Sequence, residues 1–378
     1  MKAIIIGAGI GGLTTGIALE QAGIDVEIYE RVPEMKAVGA GLTLWANAIY
    51  ALDKIRVGNA IRDFGVVAKA GGIHSMTGDN VMVTDTATLE HQVRIPTIVI
   101  HRAELQAVLE EAFNDVVHYA KQLRCYQQHG DKVCAYFEDG TQTEGDILIA
   151  CDGIHSVVRQ QMFPESKPIY SGYTAFRGVV DFDHEQIANM WGESWGYGNR
   201  FGITPLNQNR VYWFATANAP EHHFASVKFR QQALLQMFNG WHHPIQDLIA
   251  ETPDDAILQN DIYEIARLAT WQAGHVILLG DAAHAMTPNL GQGACQAIED
   301  AVTLGQIFGE TSDIDTALAR YQERRIPRAN NILKQSQLMG KVGQIENHLL
   351  CHLRNTAFKY LPNSIRMKTL IGVIGYQV

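Results

Sequence analysis

Four residues near the start of the chain have the types and spacing that suit a dinucleotide. Gly7, Gly9 and Gly12 form a G-x-G-x-x-G run, and Glu30 lies 18 positions past the last of them. Glycine in the first place permits a tight turn. In the second it lets the backbone approach a pyrophosphate, and in the third it lets a helix pack closely on a strand. That helix would offer free N–H groups and the positive end of its dipole to phosphate. Glu30 can accept hydrogen bonds from a ribose diol. Ile10 and Gly11 inside the loop and Arg31 beside Glu30 complete this group. The pattern alone does not separate FAD from NAD, and an ordinary βαβ turn shares part of it.

The elements around these residues are those the pattern needs. Residues 2–6 read as a short buried strand, 13–22 as a helix ending at Gly23, and 25–29 as a second strand. This is the start of a doubly wound sheet. Helices are expected from Asn47 and over 101–113. Two further buried strands, 146–150 and 276–279, run into Cys151-Asp152-Gly153 and Gly280-Asp281. From about Pro168 the composition shifts, and residues 170–217 are rich in Tyr, Phe, Trp, Val and Gly. Alternating apolar positions in 211–215 fit a sheet with one covered face. Helices are expected over 228–238, 292–308 and 313–325, with a helical tail from Asn331 broken near Pro362. The expected fold class is α/β. A Rossmann-like dinucleotide domain is assembled from 1–60, 98–165 and 270–330, and a β-sheet substrate domain from 61–97 and 166–269. Residues 331–378 form C-terminal helices.

Bulk properties narrow the function. The chain has 378 residues and a formal net charge of −10. Such a chain repels nucleic acid and anionic lipid at long range, so neither is an expected partner. The apolar run at 3–6 is too short to span a bilayer. Met1 leads directly into that strand without a signal-peptide pattern, and a cytoplasmic location is expected. The five cysteines include no C-x-x-C pair, which points to reduced thiols and no metal site. The histidine pairs 222–223 and 242–243 point apart on either kind of element and are expected at the surface.

Two later segments complete a recognisable set. The first is Asp152-Gly153 with Ser156 and Arg159 after a strand. The second is Gly280-Asp281-Ala-Ala-His284-Ala-Met-Thr-Pro288-Asn-Leu-Gly291-Gln292-Gly293. With the N-terminal loop they resemble, over residues 1–330 and in order, the class A flavoprotein monooxygenases. That family includes aromatic-ring hydroxylases, zeaxanthin epoxidase and the FAD-dependent urate hydroxylase. The resemblance implies a fold of the para-hydroxybenzoate hydroxylase type. It also implies non-covalent FAD, NAD(P)H as co-substrate, and insertion of one oxygen atom from O2 into an aromatic or unsaturated small molecule through a flavin C4a-hydroperoxide. An FAD-dependent reductase or dehydrogenase of the same fold is the alternative. Asp281 would accept hydrogen bonds from the ribityl chain. Pro288, Gly291, Gln292, Gly293 and Ala294 would lie against the flavin ring, with Pro288 also near the chemistry. Asp152, Gly153 and Arg102 would complete the cofactor site. The chain is expected to be a monomer or homodimer.

Substrate candidates on the inserted sheet are Tyr173, Phe176, Arg177, Arg200, Tyr212 and Phe214. Arg200 and Tyr212 match the substrate-holding pair of the urate hydroxylase. Arg200 would pair with an anionic or carbonyl-rich substrate, and Tyr212 would orient it. Two departures stand out. Thr43 occupies a segment where hydroxylases of aromatic acids often carry histidine, and Thr cannot act as a general base at neutral pH. Asn289 stands where the urate hydroxylase has an acid. The run Val38-Gly39-Ala40-Gly41 lacks the third glycine of a second fingerprint, so no separate NAD(P)H domain is expected.

Overall fold

The first strand is almost wholly apolar, and the fold buries it at the centre of a six-stranded sheet. A computed structural model describes all residues except 36–39, 69–70, 85, 189 and 227, and the side chains of 84, 86 and 87. Part of the 38–41 run therefore lies outside the described residues. The sheet order is Gln272–Ala273, Val276–Leu278, Ile147–Ala150, Lys2–Ile6, Asp25–Tyr29, Val117–His118. All pairs are parallel except the first. The strands Lys2–Ile6, Ile147–Ala150 and Val276–Leu278 read as near-continuous apolar runs because helices and a second layer cover both faces. Helix Ile10–Gln21 packs under helix Gly293–Glu310 so tightly that a Cβ on Gly305 would meet the Ala18 carbonyl at 2.8 Å. An antiparallel meander, Leu123–His129, Lys132–Phe137 and Gln142–Gly145, adds its own layer, with Phe137 stacked on Tyr29.

A seven-stranded mixed sheet forms the second body. Its order is Leu258–Glu264, Ile169–Asp181, Arg210–Asn218, Asn199–Leu206, Gly192–Trp195, Gly71–Ser75, Asn80–Thr84. One face carries Phe176, Phe201, Val211, Trp213 and Ala215, packed against Leu234, Phe238, Leu248 and Ile249 around helices Arg230–Met237 and Ile245–Glu251. The opposite face looks toward the six-stranded sheet. A small sheet, Gly41–Leu44, Ile98–His101 and Val66–Val67, lies between the two bodies.

The C-terminal helices differ from expectation at one proline. Helix Ile314–Gly343 runs for 30 residues with Pro327 inside it, where an end near 325 was expected. Proline removes one hydrogen bond and disturbs the preceding turn. Buried Ala329, Ile332, Leu333 and Ser336 beyond it, and Leu318, Tyr321 and Arg325 before it, hold both halves on the protein. The break at Pro362 does occur, between helices His348–Tyr360 and Asn363–Ile374. His222, His223 and His243 are exposed, whereas His242 is half-buried and 2.6 Å from Ser194 Oγ.

Candidate active site

Sheet order explains why three segments far apart in sequence meet. Strands Val276–Leu278, Ile147–Ala150, Lys2–Ile6 and Asp25–Tyr29 are adjacent and parallel. Their carboxyl ends lead into Gly280-Asp281, Asp152-Gly153, Gly7 and Glu30, side by side. That edge is where open α/β sheets bind ligands.

The three fingerprint glycines have three different surroundings. A Cβ on Gly7, which sits at φ +103°, would lie 2.4 Å from the Cys151 carbonyl, and one on Gly12 would lie 1.8 Å from the Gly7 carbonyl. Gly9 has nothing within 4 Å. The first and third positions are closed by protein, and the second opens on the space a pyrophosphate would need. Gly9 caps helix Ile10–Gln21 without a side chain, so the first N–H groups, from buried Ile10 and from Gly11, remain available. Glu30 accepts from the Ala8 N–H at 2.8 Å and the Val32 N–H at 3.0 Å, which fixes its carboxylate beside the loop. Arg31 is exposed at the same edge.

Asp152 and Ser156 are caps. Asp152 Oδ2 accepts from Val157 N at 2.8 Å, Ser156 Oγ accepts from Arg159 N at 2.9 Å, and Asp152 Oδ1 is buried without a partner. Burial pushes the Asp152 carboxyl above the ordinary carboxylate range. Gly153, at φ +78°, faces open space. Arg159 is fully buried and donates to the carbonyls of Ile154 and Ala282, tying this loop to the Gly280-Asp281 turn. Asp281 is open to solvent yet ringed by protein, as befits a group in a cleft. Burial raises its carboxyl, opposed by His284, Arg102 and Arg159. Arg102 begins helix Arg102–Ala112 and is exposed; His101 Nδ1 caps that helix by accepting from Ala103 N at 3.3 Å.

The segment Pro288–Leu290 is a short helical turn ended by Gly291 in the left-handed region. Helix Gly293–Glu310 starts immediately after it, with Gly293 open to space and Ala294 half-buried. Around this loop three buried polar atoms have no partner: Trp45 Nε1, Asn47 Oδ1 and Gln292 Nε2. Buried polar groups are rarely left unmatched, and a cluster of them marks a place for a polar ligand edge. The open glycines, the lone polar atoms, the anchored Glu30 and the cleft-facing Asp281 and Arg102 together fit FAD.

Below the loop lies an ionic network invisible to motif reading. Arg325 is fully buried between Glu299 and Asp300, and Arg328 adds a second bond to Glu299. Glu299 accepts from Asn47 Nδ2 at 2.6 Å, and Gln292 accepts from the same nitrogen at 3.0 Å. Asp300 accepts from the Gly280 N–H at 3.0 Å and lies 2.6 Å from His284 Nε2. Both ends of the Gly280–Gly293 segment thus rest on one set of buried charges. Burial alone would raise Glu299 and Asp300, but the adjoining arginines, with His284 at Asp300, bring both below the ordinary range.

Alternation on the second sheet sorts the substrate candidates. Registers Arg200↔Thr216, Gly202↔Phe214 and Thr204↔Tyr212 put Arg200, Phe214, Tyr212 and Thr216 on the face toward the first sheet, with Tyr173 and Arg177 from the neighbouring strand. Phe176 points the other way, is 1% exposed and packs edge-on against Phe224, so it belongs to the core behind the sheet. Gly202 has no side chain because the Phe214 ring lies across it; a Cβ there would meet that ring at 2.0 Å. Tyr212 is nearly buried, its ring against Gly41. Burial raises its hydroxyl, and Arg177 opposes the rise.

Arg200 is 2% exposed and bridges both bodies. It donates to Asn289 Oδ1 at 2.6 Å and Thr216 Oγ1 at 3.4 Å, and pairs with Glu193 at 3.3 Å. Asn289 is held by Ser336 O on helix Ile314–Gly343 and approached by Tyr173 Oη at 3.3 Å. Near Arg200 lies an open cavity of about 890 Å³, with Tyr173, Asn218, Thr287, Asn289, Gln337 and Gln344 among its walls. Ser336, Asn47 and Arg325 carry no motif signal because each acts on a partner far along the chain, which no local pattern records.

A doubly wound dinucleotide site thus faces a second sheet that carries the substrate candidates. The model of the FAD binding domain family matches residues 1–336, and the chain belongs to that family of class A flavin monooxygenases. It is 40% identical to the aurachin C monooxygenase/isomerase of Stigmatella aurantiaca, over 96% of this chain and 95% of that protein. It is 34% identical to an FAD-dependent urate hydroxylase of Klebsiella pneumoniae, over 99% and 100%. A crystal structure of a Klebsiella pneumoniae protein with FAD and uric acid superposes with a TM-score of 0.93 at 31% identity, covering 99% of this chain and 96% of that one. The chain is an FAD-dependent monooxygenase.

Proposed function

We propose that this enzyme uses NAD(P)H and O2 to place one oxygen atom on a planar, carbonyl-bearing or anionic ring compound bound between the Arg200–Phe214–Tyr212 face and the Pro288–Gly293 loop. One observation carries this reading: Arg200, from the second sheet, is hydrogen-bonded to Asn289 inside the loop assigned to the flavin. The residues around Gly9, Glu30, Asp281 and Gln292 would hold FAD, which would supply hydride acceptance and oxygen activation when bound.

The chain's own residues supply position, charge and exclusion of water. Phe214 offers an aromatic surface, and Arg200 offers a planar fork of donors at one end. Tyr212 stands at the other end, four residues along the strand from the position paired with Arg200, roughly 13 Å away. A tyrosine hydroxyl is protonated at neutral pH, and burial raises this one further, so it acts as a hydrogen-bonding group. Asn289 carries no charge, which leaves Glu193 as the carboxylate paired with Arg200. That partial neutralisation favours carbonyl oxygen over a second full negative charge at the arginine end. Thr43 offers no base, so a substrate that is already electron-rich is favoured. The N-terminus of helix Gly293–Glu310 favours negative charge on the reduced cofactor.

The purified protein is expected to carry FAD released by denaturation. Candidate ring compounds, including urate, are expected to accelerate NAD(P)H oxidation with matched oxygen uptake and a product one oxygen atom heavier. Ring compounds of this kind that neither accelerate NAD(P)H oxidation nor yield a heavier product would overturn this substrate class.

A further inference from the structure

We propose that the outer face of helix His348–Tyr360 docks the enzyme on a bilayer surface containing anionic lipid. The inner face of this helix is fully used. Cys351 and Arg354 are buried, and Arg354 donates to the carbonyls of Val342, Gly343 and Gly196 and lies over the Trp195 ring. The outer face carries Leu349, Leu353 and Tyr360 at i, i+4 and i+11, which are 67%, 54% and 76% exposed. Leu338 and Ile365, on the flanking helices, are 63% and 51% exposed. Six of the fourteen exposed large apolar side chains among the described residues fall in residues 331–378. Such concentration marks a contact surface, because scattered single exposures are the norm elsewhere.

Charge names the occupant. Residues 331–378 hold six Lys and Arg against Glu346 alone, a net of +5, so residues 1–330 carry −15. The chain's overall acidity hides this segregation. Lys334, Lys341, Lys359 and Lys368 are exposed, and none forms an ion pair among the described residues. Basic residues beside an exposed Leu/Tyr stripe are the features of a helix that lies in a membrane interface. A two-fold dimer through this face would set +5 against +5, which disfavours a second copy as its partner. No helix among the described residues is long and apolar enough to cross a membrane, so the contact is a surface one. Lys341 and Glu346 line both this region and the 890 Å³ cavity, so docking would bring the cavity close to the bilayer.

The test uses the FAD-loaded full chain and flotation with two kinds of vesicle: phosphatidylcholine alone, or with about one-third phosphatidylglycerol, at low and high salt. The anionic vesicles are expected to carry roughly tenfold more protein, with most of the excess lost in high salt. Lys359→Glu/Lys368→Glu should lose about tenfold in anionic-vesicle binding. Leu349→Ser/Leu353→Ser should also lose binding while keeping FAD content and melting temperature, since all four side chains are exposed. Equal partition onto both vesicles, or no flotation of the wild type, overturns the proposal. So does a leucine variant that floats normally but changes oligomeric state by light scattering, because the face would then join two copies.

Discussion

Arg200 and Asp281 show how single side chains tie chemistry to stability. Arg200 needs its planar fork, because Glu193, Thr216 and Asn289 lie in three directions around it. An ammonium group cannot serve all three from one stem. Arg200→Lys is expected to keep FAD and fold while a several-fold larger share of NAD(P)H electrons ends in free hydrogen peroxide. Peroxide and product measured on one preparation test this, and unchanged coupling at normal substrate affinity would remove Arg200 from the site. Asp281 carries an opposite tension. Its folded-state carboxyl is raised, so ionisation costs the folded protein stability once pH exceeds the ordinary value of 3.8, and the cost is complete above the folded value. The FAD-free Asp281→Asn protein is therefore expected to melt above the wild type at neutral pH, with the gain shrinking as pH falls toward 3.8. Its FAD affinity should fall by about 2 kcal/mol, the order expected for charge-assisted hydrogen bonds. Lower melting at neutral pH together with unchanged FAD affinity would show that Asp281 is a structural group.

At the scale of elements, the helices Gly293–Glu310 and Ile314–Gly343 form the platform under the Gly280–Gly293 segment. Arg325 neutralises both Glu299 and Asp300 where all three are fully buried. Arg325→Met would leave Glu299 with Arg328 and Asp300 with His284 as their remaining partners, and breaking a buried ionic group typically costs about 3–5 kcal/mol. The variant is expected to unfold at lower denaturant and to bind FAD weakly, because Gln292 and Gly280 rest on the same network. A denaturation midpoint equal to wild type would refute this account. Because folding depresses Glu299 and Asp300, their stabilisation is present above the ordinary carboxylate range and fades as pH drops through the folded values. These elements also show what sequence could reveal. The βαβ start was legible because glycine spacing and hydrophobic period both report on neighbours within thirty residues. The second sheet was legible as strands, yet the side taken by Phe176 was not, since alternation gives two faces without saying which one meets a helix layer. Pro327 reads locally as a stop, and tertiary packing on both sides overrides it. Asn47 and Glu299, 252 residues apart, have no local signature of their contact.

At the scale of the whole molecule, the two largest hydrophobic cores among the described residues lie one around each large sheet, and the seam between them combines polar bridges with a small apolar cluster of Val99, Leu206 and Tyr212. Arg200 with Asn289 and Arg210 with Glu104 cross it as hydrogen bonds or ion pairs, and Tyr212 packs closely against Gly41. Gln344, at the end of the long helix, exchanges hydrogen bonds with Thr216 and Asn218 of the second sheet. Seams of this kind permit relative motion of the bodies they join. FAD would sit where the three motifs meet and touch the Pro288–Gly293 loop, so its binding is expected to order the seam as well as its own pocket. Ligand that binds only the folded form also adds stability, about 2.7 kcal/mol at a hundredfold excess over Kd. Removing FAD is therefore expected to lower the melting temperature in a concentration-dependent way. Hydrogen exchange should locate the loss at the seam: amides around Asn289, Asn218 and Gln344 exchange faster without FAD, while those of Ile4, Ile5 and Trp213 change little at low temperature. Equal protection of the seam in both forms would mean that the two bodies are already locked by protein contacts alone, and that the cofactor stabilises only the sheet edge that holds it.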